Sequence, residues 1–184
     1  MNPLVQAFQI IIKFLEEEKI DYMVIGGIAN SIYGNPRQTF DIDIKIDLDE
    51  QNLKKFITQL KTVGKLVPKD PVDFVNQHNV LPIDIQSVRI DLVMGRLAFE
   101  KAAIKRGIRK KLFGVEANIS SVEDLVIQKS ISTREKDWFD IRELIQLQRG
   151  KIDWDYLFKH IGELSDFLSD PTINKRIRKF KNEN

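Results

Sequence analysis

The stretch from Tyr22 to Ile46 constrains this chain more than any other. Tyr22-Met23-Val24-Ile25 is a short β-branched and aromatic run, the pattern of a buried strand. Gly26-Gly27 ends it, and Ile28 to Tyr33 reads as a short helix. Asp41-Ile42-Asp43-Ile44-Lys45-Ile46 then alternates strictly, which predicts a second strand. Residues i and i+2 of a strand point the same way, about 6.6 Å apart at 3.3 Å per residue. Asp41 and Asp43 therefore share a face near an open backbone turn, an arrangement that suits a metal-bound triphosphate.

Two bare carboxylates ~4 Å apart repel by about 4 kcal/mol at an effective dielectric near 20. A hard divalent cation turns that repulsion into attraction. Mg²⁺ takes one or two protein carboxylates and completes its octahedron with phosphates and waters. The plainer reading is a half-exposed strand, with Asp41, Asp43, Lys45, Asp47 and Asp49 on one face and Ile42, Ile44, Ile46 and Leu48 on the other. The glycine pair favours the chemical reading. Gly26 and Gly27 have no Cβ to cover their N–H groups, and a helix beginning at Ile28 would add partial positive charge. Arg37 and Thr39 precede Asp41 at alternating positions. Arg37 can grip a phosphate or carboxylate bidentately, or else is a surface arginine after a Gly-Asn-Pro turn. A pair of metal ions needs a third acid. Asp91, in Val88-Arg89-Ile90-Asp91-Leu92-Val93-Met94-Gly95, sits in an apolar strand where a carboxylate wants a partner or an ion. Asp84 competes for this role. Asp91 is preferred because its strand is longer and ends in glycine, although spacing leaves both open.

Together these residues resemble the nucleotidyltransferase superfamily, most closely its branch of AbiEii-type toxins and related small bacterial transferases. The likeness lies in Gly26-Gly27-Ile28-Ala29, in Arg37-Gln38-Thr39-Phe40-Asp41-Ile42-Asp43 and in Asp91. A downstream pattern adds Glu123-Asp124-Leu125-Val126-Ile127-Gln128-Lys129, Arg134 and Lys136-Asp137-Trp138-Phe139-Asp140-Ile141. Ile28 departs from the toxins of the branch, which often carry Thr there. The resemblance implies that Asp41, Asp43 and Asp91 hold two Mg²⁺ ions, with Mn²⁺ as a substitute. It implies that Gly26, Gly27, Arg37, Thr39, Lys129 and Asp137 serve the nucleotide, Lys129 by reaching a phosphate. The implied reaction moves a nucleoside monophosphate from an NTP to an acceptor hydroxyl on RNA (tRNA among them), a protein or a small molecule. A toxin role would add an antitoxin partner. The alternative is an inactive module that binds nucleotide without turning it over.

The 184 residues, 42% of them hydrophobic, suffice for one full core. No apolar run reaches membrane-spanning length, so no membrane partner is expected. The N-terminal segment lacks the cationic and apolar regions of a secretory signal, and a cytoplasmic location is expected. The absence of cysteine excludes disulfides, thiolate metal sites and a cysteine nucleophile. His78 and His160 have no ligand-like companions in sequence. The net charge is only +2, but basic residues gather at Lys101, Lys105, Arg106, Arg109, Lys110 and Lys111, a patch able to hold an RNA backbone. A second group, Lys175, Arg176, Arg178, Lys179 and Lys181, reads as a solvated, frayed terminus.

Periodicity predicts helices over 3–18, 28–33, 50–62, 71–77, 97–106, 134–148 and 153–168, and one opened by Ser121 that carries Lys129. Strands are predicted at 22–25, 41–46, 81–86, 88–94, 108–113 and 115–119. The fold class is α/β: a small mixed β-sheet of nucleotidyltransferase type with packed helices and a helical C-terminal section. Residues 1–119 form the expected core and 120–184 the helical section, with the nucleotide expected in the cleft between them.

Overall fold

A computed structural model of the chain describes residues 2–34 and 38–183. It is a mixed α/β structure. Chain contacts divide it into two units: residues up to Ile28 with Gln38–Ser120, and residues 29–34 with those from Ser121 onward. The short helix after the glycine pair is split, its second half belonging with the C-terminal helices.

The first unit opens with α1 (Pro3–Glu17), which the side chain of Asn2 caps by accepting from the Leu4 N–H at 2.9 Å. Ala7, Phe8, Ile11, Ile12 and Leu15 recur at helical spacing and are fully or almost fully buried. Then come β1 (Asp21–Val24), the start of α2 (Gly26–Ile32) and β2 (Asp41–Asp47). A 3₁₀ turn (Glu50–Asn52), α3 (Leu53–Leu60), β3 (Lys65–Leu66), α4 (Pro71–His78), β4 (Val80–Ile85) and β5 (Val88–Met94) follow. The unit closes with α5 (Ala98–Arg106), β6 (Ile108–Leu112) and β7 (Val115–Ile119). The strands form one sheet in the order β3-β4-β5-β2-β1-β7-β6. β2 runs antiparallel to β1 and parallel to β5.

Alternation along β2 assigns its two faces. Ile42, Ile44 and Ile46 are fully buried. On the sheet face they share with Tyr22, α1 packs, and the Tyr22 hydroxyl donates to Glu16 of α1 at 2.7 Å. The opposite face carries Asp41, Asp43 and Lys45. α5 covers its Lys45 end: Lys45 pairs with Glu100, and Met23 of β1 packs with Ala103 and Ile104. Burial by itself would raise the Glu100 pKa. The bond and charge of Lys45, with the backbone N–H groups of Leu97 and Arg96, outweigh that and hold it below the usual carboxylate range.

The second unit holds the end of α2 with α6 (Val122–Ser130), α7 (Glu135–Gln148), α8 (Trp154–Phe167) and α9 (Pro171–Asn182). Ser121 caps α6, accepting from the Asp124 N–H at 3.1 Å and donating to its carboxylate at 2.7 Å. α9 corrects the expectation of a frayed terminus. Asp170 caps it through the Thr172 N–H at 2.9 Å, and Ile173 and Ile177 are buried one turn apart. Its cations lie over aromatic rings, Arg176 at 3.9 Å from Trp138 and Arg178 at 4.4 Å from Phe158. No helix among the described residues is long and apolar enough to cross a membrane.

Candidate active site

The pairing of β2 with β5 builds the acidic face. Their parallel register sets Asp43 directly beside Asp91 and Asp41 beside Arg89. Partners in register share a face, and adjacent strands lie about 4.8 Å apart. Asp84 of β4 is the register partner of Arg89, one strand further from β2. Asp41 is exposed, and Asp43 and Asp91 are half-buried. The Thr39 hydroxyl donates to Asp41 Oδ1 at 2.8 Å.

Gly26 explains its own presence. Its φ is +64°, the left-handed region that side chains rarely adopt. A Cβ there would stand 2.8 Å from Asp43 Cγ and 2.9 Å from Asp43 Cβ, and closer still to Oδ2. Only glycine lets the turn lie against the Asp43 carboxylate. Gly27 is buried. The helix that opens with the pair has only seven residues, so any attraction for an anion comes from local N–H groups more than from a helix dipole. Arg37 lies outside the described residues.

Alternation places Arg89 on the face of Asp91, but sequence reasoning gave it no role there. Its Nε donates to Asp91 Oδ1 at 2.9 Å, and its Nη1 lies 3.8 Å from Asp84 Oδ1. Arg89 is 42% exposed, and such a pair contributes only about 0–1 kcal/mol. Stability is therefore a poor reason for its position. Alternation in the sequence shows that Arg89 and Asp91 share a face, but the pairing with β2 that joins them to Asp41 and Asp43 is a tertiary fact.

Among the described residues, no three Asp, Glu or His side chains stand together as a set able to hold a metal ion. The donor chemistry nevertheless suits a hard cation: three carboxylates fall on neighbouring register positions beside a turn that a Cβ would fill.

Lys129 and Asp137 belong to a different setting. In the helical unit the Lys129 ammonium donates to Asp137 Oδ1 at 3.1 Å and to Asp140 Oδ2 at 2.9 Å. Both aspartates are 3% exposed. Asn30 Nδ2 also donates to Asp140, at 2.8 Å, while Asn30 Oδ1 is buried with no partner among the described residues. Burial by itself would raise the Asp137 pKa. Hydrogen bonds from Ser132, Arg134 and Lys129 outweigh it and hold the carboxyl below the ordinary aspartate range. Sequence reasoning quoted Asp140 within the resemblance but gave neither it nor Asn30 a role, because a single polar residue on an amphipathic helix carries no sign of burial.

The basic patch is partly neutralised. Lys101 pairs with Asp47 at 2.8 Å, and Arg109 pairs with Glu16, while Lys110 and Lys111 are exposed on the sheet's outermost strand. Lysines at such an edge also discourage strand pairing between chains.

The sequence finds no match among curated proteins. The fold is similar to that of the antibiotic-resistance factor ANT(2'')-Ia, at 12% identity and a TM-score of 0.63, covering 90% of this chain and 93% of that one. It is also similar to an antigenic nucleotidyltransferase-like protein from Paracoccidioides brasiliensis (16% identity, TM-score 0.57, 97% and 93% covered). A third likeness is to the lincosamide antibiotic adenylyltransferase LnuA (19% identity, TM-score 0.51, 77% and 96% covered). Residues 2–183 match the family described as "Nucleotidyltransferase of unknown function (DUF6036)". The chain therefore belongs to that family of nucleotidyltransferases.

Proposed function

We propose that this protein transfers a nucleoside monophosphate from an NTP to an acceptor hydroxyl, with Mg²⁺ held by Asp41, Asp43 and Asp91. The observation that carries the reading is the register of β2 and β5, which sets Asp91 beside Asp43 and next to the Gly26 turn. Two Mg²⁺ ions in such a site would stabilise the attacking and leaving oxygens. The protein's own groups supply the rest. Thr39 holds the Asp41 carboxylate in place. Gly26 and Gly27 would cradle the triphosphate, and Asp91 would take the acceptor's proton. Asp91 suits the third position better than Asp84, which lies a strand further out. An inactive nucleotide-binding module would need that third acid to be missing.

The acceptor sets the finer assignment. The resemblance to AbiEii-type toxins points to tRNA or another RNA and to an antitoxin partner, and exposed Lys110 and Lys111 support an RNA. The names of two fold neighbours point instead to an antibiotic, a small-molecule acceptor. Incubation with each labelled NTP, Mg²⁺ and total cell extract decides between them by tracing label to RNA, protein or small molecules. Transfer is expected to vanish on chelation and in Asp43→Asn. Undiminished turnover by folded Asp43→Asn would refute the proposal.

A further inference from the structure

Taking the acidic face as a metal and triphosphate site, we propose that Arg89 couples the two ligands. It competes with the cation for Asp91, and it turns to the triphosphate's charge when both ligands bind. Arg89 stands across from Asp41 in register and two residues before Asp91 on β5, so its side chain belongs to the acidic face. Its Nε holds Asp91 Oδ1, and its Nη1 leans toward Asp84. Each carboxylate oxygen engaged by the guanidinium is one that a cation must win.

Charge gives the direction of both effects. A divalent cation arriving alone meets a face already partly neutralised by Arg89, and is repelled by the guanidinium itself. A triphosphate gives the guanidinium another anionic partner, matched to its planar fork, and frees Asp91 for the metal. Because Arg89 is 42% exposed, it can make that exchange without disturbing the core. Each ligand then favours the other by the same factor, as linkage requires. An arginine serving only as a surface ion pair would produce no such coupling.

The test is Mn²⁺ binding followed by electron paramagnetic resonance, alone and with α,β-methylene ATP, GTP, CTP or UTP in turn. Wild type, Arg89→Gln and Arg89→Lys are compared, with melting curves to confirm folding. In wild type one analogue is expected to tighten Mn²⁺ binding by about 5–150-fold. Arg89→Gln is expected to bind Mn²⁺ alone several-fold more tightly and to lose most of that enhancement. Arg89→Lys keeps the charge but loses the fork, and is expected to retain part of the enhancement. Wild-type enhancement in Arg89→Gln overturns the coupling and leaves the metal site standing. Complete loss in Arg89→Lys overturns it as well, since charge would not be the cause. A wild type that binds neither Mn²⁺ nor any analogue overturns the metal and triphosphate reading itself.

Discussion

In the helical unit, Asp137 and Asp140 are buried around Lys129, with Ser132, Arg134 and Asn30 as further donors. On the sheet, Asp41, Asp43 and Asp91 are half-buried or exposed; Asp41 takes a bond from half-buried Thr39, and Asp91 takes one from exposed Arg89. The first set has exchanged water for a network of protein partners, which is how buried charge is tolerated. The second set keeps access to solvent and to whatever arrives from it. Carboxylates in one chain thus divide by surroundings into a buried set with many protein partners and a set open to solvent.

The sharpest way to break this contrast is a pair of substitutions. Asp43→Asn is expected to lower transfer by about 10²–10³-fold or more, with little change in a urea melt. Lys129→Met is expected to do the reverse, costing about 3–5 kcal/mol in that melt by stranding two buried carboxylates. If folded Lys129→Met instead raised the KM for NTP at unchanged stability, Lys129 would join the nucleotide site. Gly26→Ala is expected to lose about 1–3 kcal/mol and most activity, because both the backbone angle and the Asp43 contact resist a Cβ. Acid separates the sets more gently. Asp137 has a lowered folded pKa, so its stabilising share is complete above the ordinary aspartate value of 3.8 and fades as pH falls through the folded value. An acid melt should therefore show Lys129→Met and wild type converging below that pH. The smallest effect is expected for Arg176→Ala, about 0.5–1 kcal/mol from the lost contact with Trp138.

The contrast also marks what could be read from sequence. β2 and β5 were legible because Asp41 to Ile46 and Val88 to Met94 alternate cleanly over enough residues. β3, only Lys65–Leu66, exists through its pairing with β4 and leaves no pattern of its own. α9 was missed because Ile173 and Ile177 are few among many cations, whose long side chains lie on rings from distant helices. The acids of the sheet could be nominated from spacing. The place of Arg89 beside Asp41 and Asp84 could not, since it comes from strand register, nor could the burial of Asn30 and Asp140, since that depends on what packs against them.

β2 occupies the middle of the seven strands, with β1 on one side and β5 on the other. Backbone amides there should exchange with solvent water only when the sheet opens as a whole, long after those of β3 or β6. Asp41 and Asp43 are thus anchored to the segment that wanders least, and fraying at either margin leaves their spacing unchanged.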